Sequence, residues 1–185
     1  MGLGKAGVVA VVSGLVLLFS VVASAAQVLP PPEVPQGMLT ISEYWGLGAV
    51  VGEGDARIAV RVMRLRTAGE PPEFGVELVI PAAAPDDIDV SATVPDSAVP
   101  GTLEALQAML AQRKQLESQT RDEAVVAYSP VPDLIITLVQ RGRTQTAVVF
   151  IQGEAVSLPA EKGLAQLRDL LLRAQGRIRE LRQQP

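Results

Sequence analysis

Between Arg57 and Leu65 the chain reads RIAVRVMRL, with Ile58, Val60 and Val62 on one side and Arg57, Ala59 and Arg61 on the other. A period of two is the pattern of a strand with one buried face, because successive side chains leave a sheet in opposite directions. The pattern returns in GVELVI, where Val76, Leu78 and Ile80 face inward and Glu77 outward. It returns again in IDVSATV, where Ile88, Val90 and Ala92 oppose Asp89, Ser91 and Thr93. WGLGAVVG, ahead of these, reads as a further strand weakened by its glycines. The period then changes. In VPGTLEALQAMLAQRKQLESQ, Leu103, Leu106, Met109 and Leu110 form a helical stripe, and Thr102 is placed to act as N-cap.

The second half repeats the order. EAVVAY is a short apolar strand, and LIITLVQ and TQTAVVFIQ flank RGR as the arms of a hairpin. Both arms are nearly apolar on both faces, which predicts that they are central in their sheet. AVSL ends the strands, and Pro159 suits the first turn of a long helix. Along that helix Leu164, Leu167, Leu171, Ala174, Ile178 and Leu181 are spaced alternately by three and four. The expected fold class is α+β: mostly antiparallel sheet with two main helices that bury their stripes on it. Repetition of strands followed by a helix predicts a duplicated unit, with pseudo-repeats over 38–120 and 121–185 of a single domain, 38–185. The order, two units of four strands and a helix, resembles the Whirly single-stranded-DNA-binding fold. That is a likeness of topology, and topology does not carry function.

Ahead of the domain, Ala6 to Ala26 contains no charged residue, Lys5 precedes it, and Ala23-Ser24-Ala25 offers small residues near its end. This is the pattern of a signal peptide cleaved after Ala25 or Ala26. At about 1.5 Å per residue the same run spans a hydrocarbon core of about 30 Å, so residues 1–26 read either as a signal peptide or as an uncleaved membrane anchor. No cysteine follows to carry a lipid. Lys5 lies before the run and the next base is Arg57, a bias that sets the N-terminus in the cytoplasm and the domain outside it, periplasmic or secreted. QVLPPPEVPQG, residues 27–37, is a proline-rich spacer in extended polyproline geometry.

Missing residue types narrow the chemistry. The chain has no cysteine and no histidine. No disulfide framework exists, and histidine triads, thiol nucleophiles and zinc sites of His/Cys type are excluded. GLGAVVG carries Gly46, Gly48 and Gly52, but a dinucleotide loop needs a helix after it and a strand pattern follows instead. Asp86, Asp87 and Asp89 form an acidic cluster without the spacing or glycine of an EF-hand, and read as a solvated turn entering a strand. No cofactor or metal is expected.

Charge is unevenly placed. Eight acids and no base lie between Glu70 and Glu104, whereas six bases face three acids between Pro159 and Pro185. The two regions are expected to attract each other inside the fold. Arg57, Arg61, Arg64 and Arg66, with Arg141 and Arg143 at the hairpin tip, are candidates for an anion-binding face. A pI near 4.9 and an aromatic content of 3% argue against nucleic acid as the partner. Trp45, the only tryptophan, is expected in the core beside Tyr44. After Gly176 the last helix thins in apolar residues, so it is expected to project and to offer Arg173, Arg177, Arg179 and Arg182 to a protein partner, or to pair two chains as a homodimer.

Together these features lead to an exported, non-enzymatic binding or assembly module of the cell envelope, touching the membrane only through its N-terminal segment if that is retained. The first alternative is a carboxylate-dependent hydrolase using Asp86, Asp87, Asp89 or Asp96. The second is an anion- or nucleic-acid-binding protein that uses an arginine-bearing sheet face.

Overall fold

The computed structural model describes residues 39–83 and 87–184. The expected leader and spacer, and Asp86 of the acidic cluster, lie outside the described residues. Residues Gly37–Pro185 belong to one compact unit. In it, β1 (Thr40–Val51), β2 (Arg57–Thr67), β3 (Glu73–Ile80) and β4 (Val90–Pro95) precede α1 (Val99–Glu117). Then β5 (Arg121–Val131), β6 (Leu134–Gly142), β7 (Thr144–Ile151) and β8 (Glu154–Pro159) precede α2 (Ala160–Arg182). Each set of four strands is an antiparallel meander in chain order, so the fold is α+β with four strands and a helix occurring twice.

The alternation sets which face each strand buries. Ile58, Val60 and Val62 of β2 lie opposite Val50, Val76 and Leu78 of their neighbours, and all are buried. In the second sheet Leu134, Ile136 and Leu138 of β6 pair with Ile151, Val149 and Ala147 of β7, again fully buried. β6 and β7 are the inner strands of their sheet, as their two-sided apolar sequence predicts. A bulge in β1 falls between Gly46 and Gly48. Gly48 has a φ of +137°, and its backbone lies beneath Leu170 of α2. The glycines that weaken the strand pattern thus bend this edge under the helix.

α2 is the centre of the core. Leu164, Leu167, Leu171, Ala174 and Ile178 are fully buried and Leu181 nearly so. The helix packs on β1, β2 and β3 of the first sheet and on β7 and β8 of the second. α1 is more peripheral, packing on α2, β5 and β6, and buries Val99, Thr102, Leu106 and Met109. The sheets also touch directly. Gly52, at the end of β1, meets the Ser157 carbonyl and the Val156 side chain of β8. On the opposite side the Gln152 amide donates to the Ser91 carbonyl at 2.8 Å.

Three local expectations change. Thr102 is not the N-cap: α1 begins at Val99, with Pro100 in its first turn, and the Thr102 hydroxyl donates back to the Ala98 carbonyl at 2.9 Å. Ile88 is 88% exposed because β4 starts only at Val90, where pairing with Ile80 begins. The helix after Gly176 does not project, since Ile178 and Leu181 anchor it in the core.

Two glycines of α2 give opposite expectations. A Cβ at Gly163 would lie 2.5 Å from the Leu158 Cβ, whereas one at Gly176 would meet nothing within 4 Å. Gly→Ala inside a helix ordinarily adds about 0.5–1 kcal/mol. We expect that gain for Gly176→Ala, and a loss of about 1–3 kcal/mol for Gly163→Ala from overpacking. Urea unfolding midpoints of the two variants will move in opposite directions.

Candidate functional site

Among the described residues, Asp87, Asp89 and Asp96 do not converge on one site. Asp87 and Asp89 are exposed, and Asp89 Oδ1 accepts the Ala82 N–H at 2.9 Å, which closes the loop before β4. Asp96 is engaged elsewhere, its carboxylate taking the Arg182 guanidinium. Asp87 shares a shallow depression of about 470 Å³ with Glu154 and the apolar Ile80 and Ile88. The structure therefore brings Asp87 near Glu154, which the sequence did not single out. Among the described residues no group of three or more Asp, Glu, His or Cys side chains is placed to hold a metal ion.

The arginines of β2 are divided between two faces. Arg61 points away from the helices and lies directly opposite Glu77 of β3, with Nε 2.6 Å from the carboxylate. Its guanidinium also covers the Tyr44 ring, 4.4 Å from the centroid. Glu77 is nearly buried, so this pair satisfies a carboxylate that has left water. Arg64 and Arg66 share the other face with Ile58. Both bind Glu43 of β1, at 2.5 and 3.2 Å. Arg141 pairs with Glu123 at 3.1 Å across β6 and β5, and Arg143 is exposed in the hairpin turn. The six arginines expected to share an anion-binding face thus fall into separate groups, most of them with carboxylate partners.

The arginines of α2 are also partly committed. Arg177 lies over the Trp45 ring at 5.7 Å and pairs with Glu180 at 2.8 Å. Arg182 covers Phe74 at 5.5 Å while holding Asp96, one bond between the basic end and the acidic middle of the chain. Trp45 is half-buried and packs against the core, as expected. Arg173 and Arg179 are exposed, and Arg179 donates to Gln175 at 3.0 Å. The apolar stripe that would pair two chains through α2 is spent inside the unit.

A groove between α1 and α2 was not anticipated. It is an open groove of about 660 Å³, lined by Leu103, Ala108 and Ala111 of α1 and Leu172 of α2, with Glu104, Gln107 and Arg168. Leu172 is 48% exposed. Arg168 spans the helices, donating to Gln107 at 2.9 Å and pairing with Asp169. An adjoining depression of about 310 Å³ shares Gln107, Ala111 and Arg168 and adds Arg113, Lys114 and Glu161. There Arg113 joins the helices through Glu161 at 3.0 Å, and its Nε is buried with no hydrogen-bond partner. One end of the groove is therefore apolar and the other is charged, with Arg113 held by Glu117 and Glu161 and Arg168 by Asp169. Alanines at 108 and 111 give no signal in a hydropathy pattern, so only Leu172, which widens the stripe of α2, hinted at the groove in the sequence.

Among the described residues no helix is long and apolar enough to cross a membrane. No family model, curated protein or solved structure matches the chain.

The hydrogen bond from Arg64, helped by Arg66, holds the Glu43 carboxyl below the usual carboxylate range against a smaller opposing effect of desolvation. A carboxylate depressed in the folded state stabilises the fold above its unfolded pKa, and that contribution is lost as pH falls through the folded value. Wild type is expected to be more stable than Glu43→Gln at pH 7. The difference should close as the pH drops below the ordinary carboxylate range, as read from paired urea titrations at neutral and acid pH.

Proposed function

We propose that the protein is an exported, non-enzymatic binding module of the cell envelope that receives an amphipathic helix of a partner protein in the groove between α1 and α2. The observation that carries this reading is the groove itself: open, apolar along Leu103, Ala108, Ala111 and Leu172, and ending beside Lys114 and Arg113. Helix-in-groove recognition uses such a surface, with apolar anchors at helical spacing seated between two helices. Lys114 has no ion pair among the described residues and favours a carboxylate on the incoming helix, whereas Arg113 is already held by Glu117 and Glu161. Export rests on the uncharged run Ala6–Ala26 behind Lys5.

A photoreactive residue at position 172, in the full chain expressed in cells, tests the site. The expected result is one dominant adduct whose cross-linked peptide is an amphipathic segment with an acidic residue at one end. Ala111→Glu should abolish it, while a photoreactive residue at the exposed position 53 should give none. Equal labelling from both positions, or a captured peptide without an apolar stripe, overturns the reading. Intact mass of the same protein in soluble and membrane fractions reads export separately. Loss of residues 1–25 or 1–26, or a membrane-bound chain retaining Lys5 with its domain accessible from outside, supports it. An uncut chain in the cytoplasm refutes it.

A further inference from the structure

α1 lines the groove and its adjoining depression with Glu104, Gln107, Ala108, Ala111 and Lys114, all exposed. Steps of three and four keep these residues on one face of the helix, so the long axis of the groove follows α1. Glu104 and Lys114 stand at opposite ends of that stripe, about 15 Å apart along the helix. Neither makes an ion pair or a side-chain hydrogen bond among the described residues, whereas the other charges bordering the groove are engaged: Arg113 with Glu117 and Glu161, Arg168 with Asp169 and Gln107. α2 runs opposite to α1, since Glu161 meets Arg113 and Arg168 meets Gln107. Leu172, one turn past Arg168, therefore belongs to the Glu104 end, and it lines the groove there with Leu103. The stripe thus offers a free anion at one end, a short apolar floor in the middle and a free cation at the other end.

Resting on the reading of this groove as a receptor for a helix, we propose that Glu104 and Lys114 fix the direction of the bound helix. It lies antiparallel to α1, with an acidic residue of its first turn on Lys114 and a basic residue about three turns later on Glu104. Charge complementarity selects this occupant, because a segment laid the other way brings like charges together at both ends. Helices themselves favour acids in the first turn and bases in the last, so the acidic end of the guest is its N-terminal end. Between the two charges the guest supplies large apolar residues, since Ala108 and Ala111 leave room for a third helix to approach at ordinary helix–helix distance. The chain's own N-terminal segment does not meet these demands. Ala6–Ala26 has no charge to offer, and residues 27–37 carry four prolines, which break a helix, and no base. The guest therefore belongs to another molecule. Each exposed ion pair changes affinity only a few-fold, so direction depends on both ends acting together.

The test reads the two ends of the groove separately. The full chain is expressed in cells with a photoreactive residue either at position 115, one step beyond Lys114, or at position 172, and each adduct is mapped to a residue of the captured peptide. The expected result is one helical segment labelled at two places, with the 115 adduct about two to three turns N-terminal to the 172 adduct. An Asp or Glu should lie beside the first adduct and a Lys or Arg beside the second. The exchanged variant Glu104→Lys/Lys114→Glu keeps the net charge and the apolar floor, and should lower both adducts at least about threefold. Both residues are exposed, and an unchanged unfolding midpoint shows that the fold persists. The opposite order of adducts, ends without those charges, or adducts from the exchanged variant at the wild-type level overturns the proposal and leaves the groove reading standing. No adduct from either position, or a captured peptide without an apolar stripe, overturns the groove reading and the proposal with it.

Discussion

One amphipathic helix closes two sheets. The stripe of α2 from Leu164 to Leu181 is buried on β1–β3 and on β7 and β8, so a single element covers parts of both apolar inner faces, with α1 completing the cover on β5 and β6. Each fully buried leucine or isoleucine contributes about 1.5–3 kcal/mol relative to exposure. Without cysteine, no covalent link substitutes for that burial. The tight approach of Gly163 to Leu158 and of Gly48 to Leu170 follows from the same constraint, because a helix serving two surfaces must lie close to both backbones.

Charge is arranged to finish the edges of this core. Arg61 with Glu77, Arg64 with Glu43 and Arg182 with Asp96 each join different elements, and three arginines also cover Trp45 or Phe74. The aliphatic stems of such residues extend apolar cover to the rim while the guanidinium stays near water. Of the five described aromatics, Tyr44, Trp45 and Phe74 thus lie under guanidinium groups. These pairs do not touch the α1–α2 groove or the outer face of the second sheet.

Much of this architecture was legible from periodicity. Alternation in RIAVRVMRL gave the buried face of β2, and the two-sided apolar arms around RGR gave the inner strands of the second sheet; in GVELVI it was incomplete, because β3 also buries Glu77 and Val79 while Ile80 is half-buried. Boundaries were less legible, because they depend on pairing partners. Ile88 continues the alternation of β4 in sequence, yet no residue of β3 remains to pair with it. The ending of α2 was misjudged because Gly176 and four nearby arginines look solvated, whereas Ile178 and Leu181 alone suffice to hold the last turns on the first sheet. As for the sites, clustering along the chain was a poor guide. Asp89 is used by its own loop, Asp96 by a helix far along the sequence, and the groove is lined by alanines whose role depends on which helix lies beside them.

The position of α2 after all eight strands gives the fold a temporal order. The first meander can pair its strands as soon as it is made, but the helix that covers it arrives last, and the contact of Arg177 with Trp45 joins segments more than a hundred residues apart. Non-local closure of this kind slows folding, because a long loop must be ordered before its contacts repay the loss of entropy. Until then the nascent chain presents two sheets with bare apolar faces, a state open to capture by a chaperone and exposed to aggregation.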